Sequence, residues 1–247
     1  MNVIMYSLYY NNQSINLVWY SQDIINANTK EVYGSELLTR AFKVNNKEII
    51  PTQDIINHLK GNIELFLDIT GQQVIDMLIG NEHYNNVSKK VWINVSGKIV
   101  ADNTLFKKLW DKYLSRLSEN NIKKLVLEIC EDEFLDKSIE ENIRFLQSKG
   151  IKVAMDDFGS GHSNLLRLSR IDFDYIKLDL ELIKNVPDNL WETSIYKEII
   201  SLCTSKGCLV VAEGIENQEQ SEFTYWAGVN MQQGFLFSKP KTLIQQY

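Results

Sequence analysis

The stretch KLVLEICEDEFLDKSIEENIRFLQSKGIKVAMDD (124–157) carries the fold in miniature. Its first residues, KLVLEI (124–129), form a short apolar run of strand composition. Ser138-Ile-Glu-Glu141 then has the capping-box pattern, in which a hydroxyl and a carboxylate satisfy the exposed N–H groups of a helix start. That helix should stop at Gly150, because glycine tolerates the left-handed conformation that ends a helix. IKVAM (151–155) follows at once as a second strand. Strand, helix, glycine and strand in this order make a βα unit of a parallel sheet.

The unit recurs in both directions. Toward the C-terminus, DYIKL (174–178) and CLVVA (208–212) read as strands. The helix between them should start near Asp188 or Asn189 and end before Gly207. Asn217 caps a further helix that ends at Gly228, and MQQGFLF (231–237) reads as the last strand. Toward the N-terminus, INLVWY (15–20), part of EVYGSELLTRAF (31–42) and VWINV (91–95) read as strands. Thr52 looks like the N-cap of a helix through Ile55, Ile56 and Leu59, and residues 64–80 have helical spacing weakened by Gly71. From Asp102, apolar residues repeat at three and four as far as Leu117, which predicts one amphipathic helix. Seven or eight such units in 247 residues suit a closed (β/α)8 barrel of about 250 residues. An open doubly wound sheet would need a glycine-rich phosphate loop after an early strand, and no GxGxxG occurs there.

Composition narrows the function. With 44% apolar residues the chain can bury a large core, so disorder is excluded. The 26 basic and 32 acidic residues give a net charge of −6, which excludes a generally basic coat for DNA. Three histidines and three cysteines are too few and too scattered for a zinc finger or a disulfide scaffold, so a metal would be held mainly by oxygen. The start, MNVIMYSLYYNNQ, lacks the basic region and cleavage site of a signal peptide. No apolar run reaches the roughly 18–20 residues of a membrane span. Together with unpaired cysteines these features lead us to expect a cytoplasmic protein without a membrane partner. Tyr9-Tyr10, Trp19-Tyr20, Trp110, Cys203 and Cys208 read as core or interface residues, and His58 and His83 as surface residues.

Polar residues end the apolar strands. They are Asn94, Glu128 (with Glu131 three on), Asp156-Asp157, Lys177, Glu213 (with Glu216 three on) and Gln233, while Glu36 lies inside the second strand. In a parallel barrel these ends open on one face, where active sites of this architecture lie. One carboxylate at a strand end is ordinarily a solvated loop residue or a helix cap. Six strands each ending in a carboxylate, amide or lysine point instead to an oxygen-rich site for hard cations such as Mg²⁺ or Mn²⁺. Two metals about 3.5–4 Å apart are a known device for phosphoryl chemistry. The seven carboxylates in this set also account for the net charge. Without them 25 acidic residues face 26 basic ones.

The motifs YGSELLTR (33–40), INVS (93–96), LEICE (127–131), DDFGSGHSNL (156–165), DYIKLD (174–179), AEGIE (212–216) and QGFLFSKP (233–240) together resemble the EAL family of bacterial cyclic di-GMP phosphodiesterases. The resemblance implies a modified TIM barrel with one antiparallel strand, in a single domain over 1–247 with residues 1–14 as an N-terminal extension. It implies hydrolysis of cyclic di-GMP to linear pGpG by a two-metal-ion mechanism, lowering a second messenger that controls biofilm formation and motility. The family's metal ligands fall on Glu36, Asn94, Glu128, Asp156, Asp157 and Glu213, with two divalent cations, Mg²⁺ or Mn²⁺. Its catalytic lysine falls on Lys177, its phosphate-binding arginine on Arg40 beside Leu38, and its loop-anchoring glutamate on Glu131. Glu216 and Gln233 match supporting positions. A general-base role for Glu213 is an open alternative to its role as ligand. A homodimer is implied by the family alone. Departures are Leu37 in the Glu-Ala-Leu signature, Cys130 for threonine, Asp23 for proline in the Gln-Pro-Ile motif, His162 for tyrosine and Asn164 for serine. The competing reading is a catalytically silent EAL module that binds cyclic di-GMP or a protein partner. A third is an unrelated metal-dependent barrel hydrolase.

Overall fold

The computed structural model describes residues 5–80, 89–130, 137–160 and 164–243. Eight strands close a barrel. They are β2 (Gln13–Asn26), β3 (Val32–Lys43), β5 (Lys90–Ser96), β6 (Leu125–Cys130), β7 (Lys152–Phe158), β8 (Tyr175–Leu178), β9 (Leu209–Ala212) and β10 (Met231–Gln232). Neighbours from β3 through β5 and on to β10 run parallel. The seam is β2, which is antiparallel both to β3 and to β10. The fold is therefore a mixed α/β barrel with one antiparallel strand. Three short strands lie outside the ring. β1 (Met5–Tyr10) and β11 (Lys241–Thr242) pair with β2, and β4 (Ile49–Ile50) pairs with β3.

Helices cover the barrel. α1 (Thr52–Gly61) and α2 (Ile63–Leu78) precede β5, with α3 (Gly97–Ala101), α4 (Asn103–Lys112) and α5 (Glu119–Ile122) between β5 and β6. α6 (Lys137–Ser148), α7 (Asn164–Arg170), α8 (Leu190–Ser205) and α9 (Gln218–Ala227) follow in the crossovers. Parallel strands with both faces covered must be apolar throughout. β6 shows this, with Leu125, Val126 and Leu127 all buried. No helix among the described residues is long and apolar enough to cross a membrane. Cys203 and Cys208 are free, buried thiols, as their apolar surroundings predict.

Several element boundaries differ from the sequence reading. Pro51, not Thr52, is the N-cap of α1, and no side chain caps that end. Ser138 lies inside α6, where its hydroxyl donates to the Ala101 carbonyl at 2.6 Å and ties α6 to α3. Asp102 does cap α4, but that helix stops at Lys112, and a separate 3-10 turn (Leu114–Arg116) carries the stripe on. Gly71 does not interrupt α2. A Cβ there would sit 2.2 Å from the Tyr113 ring, so glycine is what lets the two segments pack. The last strand of the barrel ends at Gln232. Gly234 presses on the Ile215 backbone, 2.1 Å from the place of a Cβ, and the chain turns there instead of extending.

Candidate active site

The parallel strands deliver their C-terminal residues to one rim. Glu36 stands opposite Trp92 of β5 and opposite Gln22 of β2. Asn94 and Glu128 are register partners. Glu213 follows β9 directly. At the centre is Lys177 of β8, 1% exposed. Its Nζ donates to Glu128 Oε2 at 2.6 Å and lies 2.7 Å from Glu213 Oε1, 3.0 Å from Asp156 Oδ1 and 3.3 Å from Glu36 Oε2. Asn94 Nδ2 donates to Glu36 Oε1 at 3.2 Å, and Gln233 Nε2 donates to Glu36 Oε2 at 2.7 Å. The Cys130 thiol donates to Asn94 Oδ1 at 3.1 Å.

Four carboxylates around one ammonium give an excess of negative charge in a dry site. Burial opposes the charge of Lys177, but Asp156, Glu128, Glu213 and Glu36 together hold its pKa well above the usual lysine value. Burial also opposes ionisation of the carboxylates. It pushes Glu213 up to about 8, with Asp156 and Glu36 adding repulsion against the pull of Lys177. Glu128 is driven well above its usual value by burial and by Glu36. Glu36 goes the other way. Its burial is outweighed by Lys177 and by the bonds from Gln233 and Asn94, so it stays ionised more readily than a free glutamate.

The twin aspartates need a special backbone. Successive side chains of a regular strand point to opposite faces. The β7–β8 register shifts between Met155 and Phe158, and Asp157 has a left-handed φ of 51°. That irregularity lets both aspartates reach one place. Carboxylate oxygens of Asp156, Asp157 and Glu213 lie within 4.8 Å of one another, a spacing suited to one cation. The donors are all hard oxygens, the class that Mg²⁺, Mn²⁺ and Ca²⁺ prefer. Glu128 adds a second sign of fit. Its Oε1 is completely buried and has no hydrogen-bond donor among the described residues.

Two cavities flank the cluster. One of about 390 Å³ is lined by Gln22, Glu213, Glu216, Gln233 and Phe235. The other, about 450 Å³, is lined by Leu38, Arg40, Asn94, Cys130, Asp156 and Asp157. Arg40 does not touch the carboxylates. Its Nη1 donates to the Thr39 carbonyl at 2.9 Å, and its guanidinium lies 5.8 Å from the Tyr20 ring centre. Glu216 is exposed and makes none of the contacts to Lys177. Its backbone N–H donates to Gln220 Oε1 at 2.9 Å. Glu131 and His162 lie outside the described residues. Sequence reasoning passed over Gln22 and Tyr20 as site residues. The cross-strand register sets Gln22 opposite Glu36 and leaves Tyr20, opposite Leu38, diagonal to Arg40, and such pairings leave no local signal in the spacing.

The EAL domain family model matches residues 9–240. The chain belongs to the EAL domain family. Its relatives include cyclic di-GMP phosphodiesterase PdeL of Escherichia coli (strain K12), 30% identical over 223 residues, or 89% of this chain and 61% of the relative. Cyclic di-GMP phosphodiesterase PdeR of the same organism is 27% identical over 221 residues, 85% of this chain and 32% of the relative. The chain thus spans about a third of PdeR and under two thirds of PdeL. An EAL domain protein of Listeria monocytogenes EGD-e superposes with a TM-score of 0.81 at 27% identity, covering 92% of this chain and 89% of that one. Klebsiella pneumoniae BlrP1, solved with calcium and cyclic di-GMP, has a TM-score of 0.75 at 25% identity, covering 91% of this chain and 56% of its own. The barrel fold is therefore shared with these EAL proteins.

Proposed function

We propose that this EAL domain hydrolyses cyclic di-GMP to linear 5′-pGpG and so lowers the level of that second messenger. The observation that carries the reading is the buried ammonium of Lys177 among four carboxylates, beside a trio of oxygens at cation spacing. Glu36, Asn94, Glu128, Asp156, Asp157 and Glu213 would hold two divalent cations, Mg²⁺ or Mn²⁺. Bound there, such cations supply positive charge that acidifies an attacking water and offsets the charge of a phosphodiester.

The chain's own residues do the rest. Water adds across one P–O bond of the ring, leaving a phosphate on one 5′ carbon and a hydroxyl on the neighbouring 3′ carbon. Lys177 keeps its proton and offers it as a hydrogen bond to the oxygens on which negative charge grows. Arg40 gives a planar, charge-assisted contact to a phosphate in the second cavity, with Leu38 as an apolar wall. Glu213 and Glu216 line the first cavity, and in the alternative to its place as ligand Glu213 receives the proton that the water loses, with Glu216 beside it. Gln233 holds Glu36. Residues 1–247 act as one domain in this reading, working in the cytoplasm as a homodimer, as the family resemblance suggests. Incubation of purified protein with cyclic di-GMP tests the reading. The expected result is loss of substrate with Mg²⁺ or Mn²⁺ and none with EDTA. Substrate that persists under both metals would overturn it in favour of a binding module.

A further inference from the structure

Asp23 stands where the family's Gln-Pro-Ile motif has proline, and it makes bonds that proline cannot. Its backbone N–H donates to Ser238 Oγ at 2.9 Å. Its carboxylate accepts from Ser35 Oγ at 3.1 Å and from Lys241 Nζ at 2.8 Å. Ser35 lies directly across the β2–β3 pair from Asp23 and is the neighbour of Glu36. Ser238 and Lys241 belong to the segment that follows Gln233. The preceding residue, Gln22, faces Glu36 across the same pair. Gln22 Nε2 donates to the Ser238 carbonyl at 2.9 Å, which turns its Oε1 toward Gln233 Nε2 at 3.3 Å. Gln233 Nε2 gives its shorter bond, 2.7 Å, to Glu36 Oε2. Ser238 is therefore gripped at its hydroxyl and at its carbonyl by consecutive residues of β2. Pairing of β11 with Ser21 and Tyr20 continues the attachment.

We infer that Asp23 is a positioning residue for the candidate metal site. It latches residues 233–242 onto β2, and the latch sets Gln233 against Glu36. The inference rests on the reading of Glu36 as a metal ligand. Of the three bonds, the ion pair to Lys241 contributes least, since the Lys241 side chain is 61% exposed and solvent screens the pair. The bonds to Ser238 and Ser35 are the effective ones. Groups that orient a metal ligand from behind typically change metal affinity by about 10–100-fold when removed.

The test is calorimetric titration of Mn²⁺ into the full chain, with amide hydrogen exchange read across residues 233–242. Asp23→Pro restores the family's residue, so it is expected to fold while losing both the N–H and the carboxylate. It should weaken Mn²⁺ binding by about tenfold and speed exchange at 233–238. Ser238→Ala should shift both readouts the same way. Asp23→Asn keeps the N–H and an oxygen for Ser35, and should stay within about threefold of the parent, as should Lys241→Met. A lower melting temperature in Asp23→Pro with unchanged Mn²⁺ affinity would overturn the latch. A parent protein that binds no Mn²⁺ would overturn both the latch and the reading of Glu36 as ligand.

Discussion

Lys177 is as buried as the apolar side chains around it, yet it carries a charge. Such a group is tolerable only where partners surround it, and here four do. This sets a residue-scale prediction. Lys177→Met keeps the volume and removes the ammonium. Turnover of cyclic di-GMP should fall by about 10²–10³-fold while the dissociation constant for substrate moves little. Turnover within about threefold of the parent would remove Lys177 from the mechanism. Lys177 was legible in the sequence because a lysine at the end of an apolar strand conflicts with its surroundings. The same conflict exposed Glu128, Asp156 and Glu213. Gln22 and Tyr20 raised no such conflict, since an amide and an aromatic ring are ordinary in a strand. Their partners lie across the β2–β3 pair, and one register slip would reverse their facing.

At the scale of elements, glycines were read by propensity and placed by packing. Gly71 weakens a helix when judged alone, by about 1 kcal/mol against alanine. In the folded protein the Tyr113 ring occupies the space its side chain would need. Gly71→Ala should therefore destabilise the protein by about 1–3 kcal/mol, the cost of overpacking, despite the gain in propensity. Urea unfolding measures this, and a more stable variant would show that the Tyr113 ring moves freely. Gly234 has the same logic for the last strand, which the apolar run 231–237 overstates. The bulge at Asp156-Asp157 is a third case. Two adjacent aspartates mark a site, but only the β7–β8 register shift and the φ of Asp157 explain how both serve it.

Across the whole molecule, the repeat of strand, helix and glycine made the barrel legible, while its closure was not. The repeat says that parallel strands lie side by side. It does not say that β2 enters antiparallel between β3 and β10, and only the resemblance anticipated that strand. Closure crowds the acidic rim, and the crowding couples stability to pH. The Glu213 carboxyl rises from 4.5 to about 8 on folding, so the folded, metal-free protein holds a proton that the unfolded chain has lost. This contribution is complete below about pH 4.5 and disappears as pH rises through about 8. In EDTA, thermal or urea stability should decline from pH 5.5 to pH 8.5. Mn²⁺ should flatten that slope, because bound cations replace the proton. Stability that rises over this range in EDTA would contradict the assignment.

Product analysis in ¹⁸O-water tests the proposed hydrolysis at the bond that breaks. In the proposed reaction water is the nucleophile and phosphorus the target, so a single turnover should place one ¹⁸O in the 5′-phosphate of linear pGpG, seen by chromatography and mass spectrometry. Cyclic di-GMP recovered intact, or a linear product bearing its phosphate on the 3′ carbon, would contradict hydrolysis by this route.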